Sequence, residues 1–272
     1  MKKRAYAKIN LGIKVVGVFD GGYHDLEMVM SKINLYDTLI FKKCDYINVE
    51  CPFIKEEDNL VYKITKYLKE EYKVDKGIYI KIIKRIPMEA GLGGGSSDAA
   101  VAIKTLNELW DLKLSKDDMI NISTKFGSDI AFFINDKAAF VSGRGERIED
   151  IKSFKLKLLL IKPDFGCSTK EIYSNISEFS KKGELSSLIK ALSEEDLEGL
   201  SKEIINDLEK GLKEKKQDID FIKKDLISYG ALASLMSGSG STVFGIFDSS
   251  KKRNSAYKEL KMFYDIIKVE TI

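Results

Sequence analysis

Four glycines and two serines fall within the stretch PMEAGLGGGSSDAA, residues 87–100. The segment before it, KGIYIKIIKRI (residues 76–86), is rich in β-branched and aromatic residues and reads as a strand. Pro87 ends that strand, because proline has no N–H to give to a ladder. After the glycines, Ala99, Ala102, Ile103, Leu106 and Trp110 recur at spacings of three and four, the pattern of an amphipathic helix. Ser96 or Ser97 stands where an N-cap is expected, with Asp98 in the first turn. A strand, a glycine loop and a helix N-terminus in immediate succession leave few architectures open.

The first N–H groups of a helix lack partners within it, and its dipole is positive there, so an anion fits the place. Glycines let the backbone approach a phosphate closely. Serine hydroxyls add donors, or a magnesium ligand. Two familiar phosphate motifs are excluded by spelling. A G-x-x-x-x-G-K-[ST] loop needs a lysine that is absent after these glycines. A G-x-G-x-x-G fingerprint started at Gly91 ends on Ser96, and one started at Gly93 ends on Asp98. The alternative, a mobile linker, sits poorly with a strong helix directly behind the loop.

The chain has 272 residues, enough for one large or two modest domains. Lysine and arginine number 45 against 42 acids, interleaved along the chain, so the net charge is only +3. No clustered basic face stands out, as nucleic-acid binding would require. Cys44, Cys51 and Cys167 are odd in number and widely spaced, which points to reduced thiols in a cytoplasmic protein and not to a disulfide framework or zinc site. The opening MKKR is followed by Lys8, Asn10 and Lys14, which interrupt any signal-like apolar region. No apolar run approaches a membrane span.

Strands and helices mix along the chain. Residues 5–19 and 28–41 read as strands around a DGG turn, and residues 58–72 as a helix. Residues 114–127 read as another helix, with Ser115 and Asp118 in a capping box and Gly127 as its stop. Residues 138–150 read as a hairpin. Helices are expected over roughly residues 169–228, and strands with one helix after that. We place a domain boundary near residue 153, with domains at 1–153 and 154–272.

In AYAKINLGIKV, Ala5, Ala7, Ile9, Leu11 and Ile13 share one face of a strand, and Lys8, Asn10 and Gly12 the other. By pattern alone this second face is the solvated side of an edge strand. In KFGSDIAFFIND, Asp129 follows a glycine and a serine, and by pattern alone is an N-cap carboxylate. Near a phosphate loop the same carboxylate could take the proton of an attacking hydroxyl, with a nearby lysine stabilising charge. His24 is the only histidine. It is either a loop residue without a role or, with Tyr23, a partner for a planar base. SGSGS, residues 237–241, is either a tight hairpin turn or the lining of an anion pocket.

Taken together, the loop resembles the phosphate loop of the GHMP kinases. AYAKINLGIKV, GYHDLE, DNL, FGSDIAFFI and SGSGSTVFG resemble the 4-diphosphocytidyl-2-C-methyl-D-erythritol kinases within them. The motifs run in order from residue 5 to residue 245, nearly the whole chain. The resemblance implies an α/β (α+β) two-domain fold with the active site in the interdomain cleft. It implies a cytoplasmic enzyme that uses ATP and Mg2+ to phosphorylate the 2-hydroxyl of a small cytidine-diphosphate-linked methylerythritol. By motif, Asp129 matches the general base and Lys8 the catalytic lysine. Pro87, Met88, Glu89, Ala90, Gly91, Leu92, Gly93, Gly94, Gly95, Ser96 and Ser97 match the ATP-phosphate site, with Ser97 a candidate magnesium ligand. Asn59 and Lys84 match positions near the adenosine. Asn10, Tyr23 and His24 match substrate contacts, the last two at the cytosine. Tyr173, in STKEIY, matches a second base-stacking ring, with Thr169 beside it.

Three residues depart from the family pattern. Tyr6 and Ser241 stand where proline is usual or frequent. Glu89 stands where a small residue is common, and is expected to face solvent. Rival readings are another GHMP-type kinase of mevalonate-like, homoserine or sugar hydroxyls, a non-catalytic nucleotide-binding protein, and an RNA-binding module. The Tyr23–His24 pair argues against the first. Retention of both Lys8 and Asp129 argues against the second. The lack of a basic face argues against the third.

Overall fold

Two long strands organise the chain. β1 (Lys2–Val18) and β2 (His24–Cys44) each run through both of the units into which the fold divides. The computed structural model describes all residues 1–272. The first unit gathers Met1–Ala7, Leu35–Ile86 and Gly93–Asp136; the second gathers Lys8–Asn34, Pro87–Leu92 and Lys137–Ile272. The position read as a boundary, residue 153, lies inside the second unit.

The first unit contains β3 (Ile47–Glu50), α1 (Leu60–Glu71), β4 (Gly77–Ile83), α2 (Gly94–Trp110), α3 (Lys116–Ser123) and α4 (Ser128–Ile134). β4 pairs antiparallel with the later half of β2, from Thr38 opposite Ile83 to Cys44 opposite Gly77, and β3 joins β4 in parallel. α1 and α4 pack on α2, whose buried residues Ala99, Ala102, Ile103, Leu106 and Trp110 are the face read from their spacing. The capping box of Ser115 and Asp118 is present. Gly127 does not stop that helix, however. α3 ends at Ser123, and Gly127 instead sits at the N-cap of α4.

The second unit contains the hairpin of β5 (Ala139–Gly143) and β6 (Arg147–Asp150), then β7 (Lys157–Ile161), α5 (Thr169–Ser174), α6 (Ser186–Glu194), α7 (Leu197–Glu203), β8 (Ile205–Asn206), α8 (Lys216–Ser228), β9 (Ala233–Met236), β10 (Val243–Phe247), α9 (Ser250–Leu260) and β11 (Ile266–Glu270). β5 pairs with the first half of β2, Leu26 opposite Gly143. β8 adds to β1 in parallel, Gly12 opposite Ile205. A separate antiparallel sheet has the order β11-β7-β10-β9. No helix is long and apolar enough to cross a membrane.

In the first unit, a buried ion cluster ties β2, the end of β4 and the start of α2 together. Asp37, fully buried, accepts the backbone N–H of Arg85 (2.5 Å) and Ile86 (2.9 Å) and the ammonium of Lys84 (2.5 Å). The same ammonium donates to Asp98 in α2 at 2.9 Å. Burial works against the charge of Lys84, but the Asp98 and Asp37 carboxylates outweigh it and raise its pKa. Asp98 is pushed up to about 7, because burial and the Asp37 charge outweigh the pull of Lys84. Its Oδ1 is buried without a hydrogen-bond partner, where a proton is more comfortable than a charge.

The sign for stability follows. Between the unfolded value of 3.8 and the folded value of about 7, the folded chain keeps a proton that the unfolded chain releases. This group therefore lowers stability progressively as pH rises through that window, and the loss levels off above it. Asp98→Asn cannot ionise and should flatten that slope. Its stability relative to the parent, read from urea midpoints, should improve by on the order of a few kcal/mol between pH 5 and pH 8. A difference independent of pH would refute the assignment.

Candidate active site

In the second unit, the candidate residues gather around β1. The strand's second face is not solvated, contrary to its alternating pattern: Lys8 is 3 % and Asn10 1 % exposed. β1 is flanked by β2 and β8, and on this face Gly12 lies against Leu185 and Leu188, and Lys8 against the glycine hairpin. Lys8 Nζ donates to Asn10 Oδ1 at 2.5 Å. A Cβ placed on Gly238, at φ +59, would stand 3.0 Å from Lys8 Nζ, so the glycine hairpin of residues 237–241 lies against the lysine. That hairpin does turn β9 into β10, as its spelling suggests. It is also part of the candidate site.

The first half of the loop is joined to these same elements. The Leu92 carbonyl accepts the Lys8 backbone N–H at 3.0 Å, and the Ala90 carbonyl accepts the Thr242 N–H at 3.3 Å. The Gly91 carbonyl accepts from Ser237 Oγ at 3.0 Å, and Ser237 Oγ in turn accepts the Asn10 N–H at 3.4 Å. Gly91 has φ +70, and a Cβ on it would stand 1.9 Å from the Ser237 carbonyl oxygen. Only glycine fits. Pro87, half-buried, and Met88, exposed, lead into this segment. Glu89 is exposed as expected, at φ +49, with its carboxylate against Gly166. Ser241 is buried and its Oγ donates to the Phe165 carbonyl at 2.5 Å.

The remaining candidates of this unit are aromatic. His24 opens β2, and its ring lies 4.9 Å from that of Tyr173 in α5, tilted by 38°. Burial lowers the pKa of His24 and favours the neutral imidazole, which has one donor and one acceptor nitrogen. Tyr23 is 61 % exposed. Thr169 is exposed at the start of α5, its Oγ1 2.8 Å from Ser239 Oγ on the glycine hairpin.

In the first unit, α2 begins one turn earlier than its serines led us to expect. The N-cap is Gly93, in the left-handed region at φ +68, and Gly94, Gly95 and Ser96 form the first turn. The first intrahelical bond there runs from the Ser97 N–H to the Gly93 carbonyl at 2.9 Å. The amides of Gly94, Gly95 and Ser96 are thus the helix-terminal donors. A Cβ on Gly95 would meet nothing within 4 Å, so the surface there is open. Ser97 is buried, and its hydroxyl donates to the Tyr6 carbonyl at 2.7 Å instead of capping the helix. Lys84 lies beneath this turn, its Nζ 3.3 Å from the position of a Cβ on Gly94. Asn59, buried, caps α1 by accepting the Val61 N–H at 2.9 Å. Asp129 is the second residue of α4, half-buried, and not its N-cap.

Two residues of these sites were not singled out from the sequence. Asp37 anchors Lys84 and the strand end before the loop. Asn206, on β8, donates from Nδ2 to the carbonyls of Met236 and Gly238 at 2.8 Å each, fixing the glycine hairpin. Nothing in their local spelling marks them. Each acts on segments remote in the chain.

The GHMP kinases N terminal domain matches residues 59–143, and the GHMP kinases C terminal domain matches residues 188–266. The chain is 40% identical over 272 residues to a 4-diphosphocytidyl-2-C-methyl-D-erythritol kinase of Thermoanaerobacter pseudethanolicus, covering 98% of this chain and 94% of that protein. It is 43% identical over 270 residues to a protein of the same name from Thermodesulfovibrio yellowstonii, covering 96% and 93%. A crystal structure of 4-(cytidine 5'-diphospho)-2C-methyl-D-erythritol kinase superposes with a TM-score of 0.88 at 25% identity, over 100% of this chain and 99% of that one. The chain belongs to the GHMP kinases and, within them, to the 4-diphosphocytidyl-2-C-methyl-D-erythritol kinase family.

Proposed function

We propose that the protein transfers the γ-phosphoryl group of ATP to the 2-hydroxyl of 4-diphosphocytidyl-2-C-methyl-D-erythritol. The products are ADP and the 2-phosphate, in the methylerythritol phosphate route to isoprenoid precursors. The observation that carries the acceptor's identity is the His24–Tyr173 ring pair, 4.9 Å apart, with the exposed Tyr23 next to it in sequence. Such rings stack on a planar base, and a neutral imidazole can bond to a base edge. An acceptor without a base would give them nothing to recognise.

Each residue then has a physical task. The Gly94, Gly95 and Ser96 amides take the phosphates at the α2 N-terminus, with the Lys84 ammonium below them. Pro87–Leu92 shape the approach to that turn. Asn59 and Lys84 serve the adenosine side. Magnesium, when bound with ATP, neutralises charge on the phosphate oxygens. Ser97 Oγ donates a hydrogen bond to the Tyr6 carbonyl and keeps lone pairs that suit such an ion. Asp129 accepts the proton of the acceptor hydroxyl as it attacks. Lys8, oriented by Asn10, stabilises negative charge on the transferring group. Thr169 and Asn10 contribute polar contacts to the acceptor. On this reading residues 1–153 carry nucleotide binding and residues 154–272 complete acceptor recognition. We assign the reaction to the cytoplasm, where free thiols such as Cys44, Cys51 and Cys167 stay reduced.

Two sets of measurements test this. ADP release with magnesium–ATP should occur with the cytidine-linked acceptor and not with mevalonate, homoserine or galactose. Turnover of one of those instead would sink the base-pocket assignment and leave the kinase assignment standing. Asp129→Asn should lower kcat by about 10²–10⁴, and Lys8→Met by about 10²–10³. The Kd for ATP should change by less than about threefold in both, since the lost interactions belong to the transition state. Near-parental turnover in Asp129→Asn would remove it as the base.

A further inference from the structure

One side chain of the second unit bridges two hairpin turns. The turn of residues 19–23 joins β1 to β2. Its Phe19 N–H donates to the Tyr23 carbonyl at 2.7 Å and its Gly22 N–H to the Phe19 carbonyl at 3.1 Å. The turn of residues 143–146 joins β5 to β6, with Gly143 and Gly145 at φ +75 and +109. The Glu146 carboxylate accepts the Arg144 backbone N–H at 2.7 Å and so fixes that turn. Leu26 pairs with Gly143, so both turns lie at the same end of the β2–β5 ladder.

Arg144 reaches from the second turn to the first. Its guanidinium carbon lies 4.6 Å from the centroid of the Tyr23 ring and 5.3 Å from that of Phe19. The guanidinium is planar and weakly hydrated, and lies on aromatic faces better than a lysine ammonium does. Tyr23 needs such a support. Its backbone is fixed by the turn, but the residue is 61 % exposed, so few other groups are there to hold the ring. A ring that must be ordered when a ligand stacks on it weakens binding, and a ring already held does not.

We infer that Arg144 is a positioning residue for acceptor recognition: it covers one face of the Tyr23 ring and holds the ring so that the opposite face receives the pyrimidine. The inference rests on the cytidine-linked acceptor proposed above. It adds a side chain from the β5–β6 turn that acts through Tyr23.

The test is a double-mutant cycle in the full-length protein, with the parent assayed first. Arg144→Ala should raise the KM for the cytidine-linked acceptor by about three- to tenfold. The KM for ATP and kcat should stay within about twofold, a split that general loosening of the fold would not produce. Arg144→Lys should recover part of the loss. In a Tyr23→Ala background, Arg144→Ala should add no further effect, because its partner is gone. An unchanged acceptor KM, effects that add in full, or an equal rise in the KM for ATP would each overturn the inference. A second readout needs no acceptor. The aromatic resonance of Tyr23, assigned by its disappearance in Tyr23→Phe, should shift in Arg144→Ala; a resonance that stays put would equally overturn it. A parent that ignores the cytidine-linked acceptor while this resonance does shift would fault the proposed function and not the brace.

Discussion

The absence of a side chain at Gly91 is the constraint on which the second unit's site depends. A single carbon there would stand 1.9 Å from the Ser237 carbonyl oxygen, so the loop and the glycine hairpin can touch backbone to backbone only with glycine at this position. From that contact follow the bonds of Ser237 to Gly91 and Asn10, the bond of the Lys8 N–H to Leu92, and the position of Gly238 against Lys8. Asn206 secures the far side of the hairpin through two carbonyls. Four segments scattered from residue 8 to residue 242 are thereby held in one arrangement by backbone bonds together with the buried Ser237 hydroxyl and Asn206 amide.

The two lysines carried over by motif are each held by buried polar side chains. Lys84 is flanked by two carboxylates, and the competition for its charge leaves Asp98, and not the lysine, as the group whose ionisation is costly. Lys8 is held by the neutral amide oxygen of Asn10. In the proposed mechanism, a carboxamide that fixes the direction of this ammonium orients it toward a phosphoryl oxygen.

Much of this was legible in the sequence. The strand–loop–helix succession, the face of α2, the capping box at Ser115, the β5–β6 hairpin and the α/β class all follow from local periodicity and turn chemistry, and the family from motif order. What escaped has a physical reason in each case. The polar face of β1 has the alternation of a half-solvated strand, and only tertiary cover buries Lys8 and Asn10. The start of α2 was misplaced because a glycine in the left-handed region can stand at an N-cap that serines usually occupy, and Ser97 had a better acceptor in the Tyr6 carbonyl. Asp37, Asn206 and Arg144 act on segments far away in the chain, so no local pattern marks them.

The interleaved assignment of the chain also governs its birth on the ribosome. The first unit has all its parts once residue 136 has been synthesised, whereas the first strand of the second unit, already made by then, must wait for β8 at residues 205–206 to join it. Between those moments a buried-to-be lysine and asparagine, Lys8 and Asn10, sit on a strand whose covering elements do not yet exist. Their polarity keeps that waiting surface wettable, where an apolar pair would present a sticky edge to other nascent chains.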